Sequence, residues 1–245
     1  MSEKNWTVLK LLSWTTEYFQ KAELESPRLL AEMLLSHVLE CERIELYTRF
    51  EHLPTDAQRA TFREFVRRAG QHEPVAYLTG TKEFYSLPMK VTPVVLIPRP
   101  ETEMLVDLAV THLRSLGRPG WVWDICTGSG CVALATAQQV PTTTVLATDI
   151  STDAVAVAHD NATSLGLADR VTCLQADLLT RPASFDGPEQ FDVITANPPY
   201  VATGDWVAPS VTREPDLALY AGETGFDIIT PLVRSAGERL TPDGC

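Results

Sequence analysis

Positive charge is what this sequence most plainly lacks. Lys and Arg total 20 against 32 Asp and Glu, for a formal charge of -12. Nonspecific nucleic-acid binding draws its energy from cations that neutralise phosphates, so a broad DNA-binding surface is not expected. The most clustered cations, Arg63, Arg67 and Arg68, read as a solvated helical face. No window approaches eighteen continuous apolar residues, and the start, MSEKNWTVLK, has no basic segment leading into an apolar core. Neither a membrane span nor a secretory leader is therefore expected. Cysteine is scarce: Cys41, Cys126, Cys131, Cys173 and Cys245 are odd in number and show no paired CxxC spacing. That excludes a disulfide or zinc framework and predicts free, mostly buried thiols in a reducing, cytoplasmic compartment, with no metal site. Internal repeats and low-complexity tracts are absent from the pattern.

What is present fits a globular chain. Its 245 residues, 44% hydrophobic and 21% charged, can bury the core of one full α/β domain plus a small companion. The spacing predicts a helical region over 1–76. A first helix would carry Trp6, Leu9, Trp14 and Phe19. A second would start at Ser26-Pro27, with serine as cap, and bury a stripe of Leu30, Met33, Leu34, His37 and Val38. On that stripe His37 reads as a core or boundary residue. A third, from about Thr55 to Gly70, would put Phe62, Phe65 and Val66 on one side.

From 77 to 100 the texture is short β-like runs, Phe84-Tyr85, Met89 to Val91 and Val94 to Ile97, broken by prolines, which predicts a hairpin-like linker. The region 101–245 then reads as an α/β domain. A helix opens at Glu101-Thr102-Glu103 and runs through Leu105, Leu108, Ala109 and Leu113. Strands follow at Trp121–Asp124, Val145–Asp149, Val171–Gln175 and Phe191–Ala196, alternating with helices, one of them capped by Ser151 and the last spanning about Phe226 to Leu240. This is the pattern of a parallel sheet covered on both faces. A turn at Thr241-Pro242-Asp243-Gly244 normally leads into another strand, so the sheet is expected to be truncated at the carboxyl end with an exposed edge.

Two segments carry chemistry. Asp124-Ile125-Cys126-Thr127-Gly128-Ser129-Gly130 links a strand to a helix, the context in which glycines let a backbone approach a nucleotide-like ligand. Asp149 ends the next strand, where an acid can accept hydrogen bonds from both ribose hydroxyls; Asp177 offers a further carboxylate that could meet an adenine amino group. The loop lacks full GxGxxG spacing, so adenosine without a pyrophosphate fits better than a dinucleotide.

The second segment, Asn197-Pro198-Pro199-Tyr200, stands at a strand's carboxyl end, where open α/β sheets place ligands. The prolines stiffen the turn. The Asn197 side chain and the Pro198 carbonyl can accept both hydrogens of an NH2 group, and Tyr200 can stack on a planar substrate. Methylation of a planar amide or amine nitrogen by S-adenosylmethionine follows as the expected reaction. An amide nitrogen is a poor nucleophile, so orientation must supply much of the barrier reduction, up to about 7–11 kcal/mol.

With these motifs the chain resembles the PrmC/HemK family of methyltransferases. The segments Glu73-Pro74-Val75-Ala76-Tyr77-Leu78-Thr79-Gly80 and Leu96-Ile97-Pro98-Arg99-Pro100-Glu101-Thr102-Glu103 look like family signatures, as does Arg213-Glu214-Pro215 through Gly222. The resemblance implies a Rossmann-like S-adenosylmethionine-dependent catalytic domain behind a small helical substrate-binding domain. It assigns cofactor contacts to Thr127, Gly128, Gly130, Asp149, Asp177 and Asn197, and acceptor contacts to Asn197, Pro198, Pro199 and Tyr200. The implied substrate is the GGQ glutamine of peptide chain release factors; from charge and the lack of long apolar runs neither DNA nor membrane is an expected partner, and a monomer is expected. Two departures from the family pattern stand out: Cys126 occupies its first loop glycine, and its seven-stranded domain continues past Gly244. Two alternatives remain open, methylation of adenine amino groups in DNA and an inactive, truncated protein that docks on a release factor.

Overall fold

The computed structural model describes residues 6–245. They divide into two compact units, one reaching Gly80 and including Ala208–Arg213, the other made of Thr81–Val207 and Glu214–Cys245.

The first unit is helical: α1 (Val8–Lys21), α2 (Pro27–Leu39), α3 (Glu45–Thr48), α4 (Asp56–Ala69) and α5 (Val75–Thr79). Its core joins Leu12, Phe19, Leu34, Leu35, Leu46, Phe62 and Val66. A reciprocal capping box between Thr55 and Gln58 starts α4 and satisfies two otherwise orphaned N–H donors. Arg67 pairs with Glu64 and Arg68 with Glu73, as a solvated face should.

Several local expectations are corrected. In α1 the buried face is Val8, Leu11, Leu12, Thr15 and Phe19, while Leu9 and Trp14 are exposed. In α2 it is Ala31, Glu32, Leu34, Leu35 and Ser36, and His37 lies outside. Ser26 does not cap α2, because its left-handed backbone leaves the hydroxyl without a cap hydrogen bond. The buried Glu32 accepts hydrogen bonds from Arg28 and Tyr47, and with Arg43 nearby these outweigh the desolvation that would raise its pKa, so the carboxyl is held low.

The second unit opens with an antiparallel hairpin, β1 (Thr81–Phe84) and β2 (Leu87–Lys90). Tyr85 and Ser86 both take positive φ, which a two-residue hairpin turn of the primed type demands, and the Glu103 carboxylate accepts the Tyr85 N–H. The run Val94 to Ile97, expected as strand-like, is irregular between Pro93 and Pro98. Next come α6 (Glu103–Ser115), β3 (Trp121–Ile125), α7 (Cys131–Gln139), β4 (Thr144–Asp149), α8 (Thr152–Ser164), β5 (Val171–Gln175), β6 (Val193–Ala196) and α9 (Ile229–Arg239). Ser151 caps α8 by accepting the Ala154 N–H. In α6 the buried face is Val106, Ala109, Val110 and Leu113; Leu105 is half-buried and Leu108 exposed.

The four strands β3 to β6 form one sheet in the order β5-β4-β3-β6, every pairing parallel. Alternation along the strands separates two cores. Val122, Val145, Ala147 and Val193 join a cluster with α6 and α7, whereas Trp123, Ile125, Leu146 and Phe191 pack opposite with Phe185 and Leu232 of α9. Each fully buried large side chain contributes roughly 1.5–3 kcal/mol. The expected bare edge of β6 is partly covered: Phe191 bridges Leu240 in parallel, and the Ile194 N–H donates to the Cys245 carbonyl. All five cysteines are free, but only Cys131 is fully buried, fewer than expected.

Candidate active site

In the second unit, the carboxyl ends of β3, β4, β5 and β6 border one cavity of about 340 Å³, within the range of roughly 300–1,000 Å³ usual for small-molecule sites. Thr127, Gly128, Asp149, Asp177, Asn197 and Pro199 all line it. Gly130, Pro198 and Tyr200 do not. Gly130 begins α7 at φ +81, and a Cβ there would come within 3.2 Å of Ala158 Cβ and Leu134 Cδ1, so its role is close packing of the loop on α8. Pro198 is buried and Tyr200 is 66% exposed.

The glycine loop is held from two sides. The Asp149 carboxylate accepts the Gly128 N–H through Oδ2 at 2.9 Å and the Ser151 N–H through Oδ1 at 3.0 Å. Burial raises its pKa, and those backbone donors oppose the shift. Asn161, buried on α8, donates to the Ser129 and Lys90 carbonyls and accepts the Lys90 N–H, tying the loop to the hairpin. Gly128 takes φ +55, and a Cβ built there meets nothing within 4 Å, so the backbone faces open space that a ligand can approach.

Cys126 also lines the cavity and takes φ +56, the left-handed region that glycine adopts without cost. Burial, with Asp149, Asp124 and Asp177 adding to it, pushes its thiol up to about 12, so it stays protonated and unreactive at neutral pH.

Asp124 and Thr102 lie within the quoted motifs, but the sequence pattern assigned neither a role of its own. Asp124 is buried at the cavity wall and accepts hydrogen bonds from Thr127 Oγ1 at 2.5 Å and Thr195 Oγ1 at 2.7 Å. Desolvation still raises its carboxyl to about 6 against those bonds. A cationic ligand would favour its ionised form. Thr102, on the turn before α6, accepts from Asn197 Nδ2 at 3.4 Å. An acid placed inside an apolar strand, as Asp124 is, was the available signal.

The cavity fits a methyl donor such as S-adenosylmethionine. It joins a loop whose backbone is left open at Gly128, a carboxylate at a strand end and two further acids suited to a cation, over a largely apolar lining. Among the described residues no helix is long and apolar enough to cross a membrane.

Comparison with known proteins gives the same assignment. Residues 10–80 match the model for the PrmC N-terminal domain and residues 102–214 that for the methyltransferase small domain. The chain is 48% identical to a release factor glutamine methyltransferase of Rhodopirellula baltica, over 98% of this chain and 82% of that protein. It is 39% identical to one of Chlorobaculum tepidum, over 99% and 84%. Among solved structures, a ribosomal protein L11 methylase of Lactobacillus delbrueckii subsp. bulgaricus is 26% identical with a TM-score of 0.40, over 64% of this chain and 63% of that one.

Proposed function

The chain belongs to the release factor glutamine methyltransferase family, and from that premise we propose that it methylates the side-chain amide nitrogen of the GGQ glutamine in peptide chain release factors, with S-adenosylmethionine as donor. The observation that carries the proposal is the meeting of Asn197, at the end of β6, with the Asp149-braced glycine loop on one cavity.

When bound, S-adenosylmethionine supplies a methyl group made electrophilic by its sulfonium. Thr127, Gly128, Asp149 and Asp177 would hold it, Asp149 through ribose hydroxyls and Gly128 through the open space beside its backbone. Asn197, whose amide nitrogen donates to Thr102 Oγ1, would accept one hydrogen of the substrate NH2 through its side-chain oxygen, and the Pro198 carbonyl would accept the other. That grip aligns the nitrogen lone pair and raises its electron density. With the methyl supplied by the bound donor, the nitrogen held by Asn197 and Pro198 would be left with a surplus amide proton that can pass to water, so no dedicated base is needed. Tyr200, exposed beside this turn, stacks on the substrate amide plane. Both loops stand on one chain, so a monomer suffices, and the charge of -12 favours a protein acceptor in the cytoplasm over DNA.

Labelled methyl transfer to a recombinant release factor, to its Gln→Ala variant and to duplex DNA tests the proposal. Label is expected on the first alone, and Asn197→Ala should lower kcat at least ~100-fold without unfolding the protein. Label on DNA alone would defeat the proposal.

A further inference from the structure

We propose that Glu214 is a positioning residue, one that fixes two walls of the donor cavity against each other without touching the reacting atoms. Its side chain is 2% exposed. Oε2 accepts the Ile97 N–H at 2.9 Å, and Oε1 takes a hydrogen bond and ion pair from the Arg99 guanidinium, 117 and 115 positions away in the chain. Leu96 and Pro98, beside Ile97, line the cavity; so do Pro215, Leu217 and Ala218, directly after Glu214. One carboxylate thus fastens an irregular wall segment to one built on a single 3-10 turn, Asp216–Ala218.

The same tie reaches the acceptor loop. After Ala218, the Leu219 carbonyl accepts the Val201 N–H and the Ala221 N–H donates to the Val201 carbonyl, next to Tyr200. Movement of the 215–218 wall therefore moves both the donor site and the exit of the Asn197 turn. A buried carboxylate needs partners to repay its desolvation, and here both partners belong to the other wall segment.

Asp192 provides a matched comparison. Its side chain is 3% exposed, pairs with Arg118 and accepts the Trp121 N–H, yet it precedes β6 at the end remote from the cavity. A purely structural role for Glu214 would make the two residues behave alike.

The inference takes S-adenosylmethionine as the ligand from the proposed function, and the test separates the two. Full-length wild type, Glu214→Gln, Arg99→Lys and Asp192→Asn are titrated calorimetrically with S-adenosylmethionine at a temperature where circular dichroism shows each folded. Arg99→Lys keeps the charge but not the fork, and covers the case in which Glu214→Gln fails to fold. Expected is a donor Kd raised at least ~tenfold in the Glu214 and Arg99 variants, with the donor KM rising more than kcat falls, and a change under ~twofold in Asp192→Asn despite a lower Tm. Unchanged Kd in the first two, or an equal rise in all three, overturns the positioning role. No binding by wild type overturns the ligand reading and this inference with it.

Discussion

Replacing Cys126 with glycine tests how the cavity floor tolerates a side chain where glycine is the natural fit. A non-glycine residue at φ +56 carries about 1–2 kcal/mol of backbone strain. Glycine relieves that strain but enlarges the freedom of the unfolded chain, at about 0.4–1 kcal/mol. It also gives up the thiol's packing against the cluster of Trp123, Ile125 and Leu146, worth about 1 kcal/mol for a group of this size. These terms nearly cancel, so Cys126→Gly should unfold within about 1 kcal/mol of wild type, a Tm change of about 4 °C or less. Cys126→Val keeps a buried side chain but sets a β-branched residue at positive φ, and should lose at least ~2 kcal/mol. Calorimetric titration should show S-adenosylmethionine bound no more weakly by the glycine variant than by wild type, because the removed atoms line the cavity. Thermal and urea unfolding read the stability. A glycine variant destabilised by more than ~2 kcal/mol, or a valine variant as stable as wild type, would show that side-chain packing and not backbone strain governs this position.

Asp124 should give a pH signature opposite to that of most carboxylates. Its folded pKa of about 6 lies above the ordinary 3.8, so its contribution is fully present below 3.8 and is lost as pH rises towards 6. Urea unfolding of wild type minus Asp124→Asn should therefore fall by on the order of 3 kcal/mol over that window, and a flat difference would refute the burial argument. Gly130→Ala should cost about 2–4 kcal/mol by differential scanning calorimetry, since the Cβ would meet Ala158 and Leu134 at 3.2 Å with φ at +81. Asp149→Ala removes the acceptor for the Gly128 and Ser151 N–H groups and should weaken S-adenosylmethionine about 30-fold, or about 2 kcal/mol, by titration. Affinity equal to wild type would remove Asp149 from the donor site.

What could be read from the sequence was whatever local rules decide. The alternation that sends Val122 to one core and Trp123 to the other follows from the pleat, so strand positions came within a residue or two. The loop from Asp124 to Gly130 was legible because its glycines answer a backbone need visible without tertiary context. Helix faces were harder. In α1, α2 and α6 more positions are apolar than one face can bury, and the neighbouring elements decide which turn inward. That choice left Trp14 and Leu108 outside and drew Glu32 in. Asp124, Thr102 and Glu214 stand inside motifs legible in the sequence, but their own roles were not, for a related reason. Their partners Thr195, Asn197 and Arg99 lie 71, 95 and 115 positions away, and no spacing rule reaches that far.

Those long-range ties also bear on whether a four-stranded sheet can hold the acceptor turn. Asn197 follows β6, whose partner on one side is β3. On its other side the backbone bonds run from Phe191 and Ile194 to the last residues of the chain. The turn itself is held elsewhere: by Thr102 at the Asn197 amide, by the pairing of Val201 with Leu219 and Ala221, and by Gly225, where a Cβ would stand 2.4 Å from the Tyr200 carbonyl. All three supports lie at the carboxyl end of the strands. The chemistry therefore depends on the loops before α6 and after Tyr200 more than on the outer edge of β6, and damage confined to that edge should lower stability before it alters the geometry at Asn197.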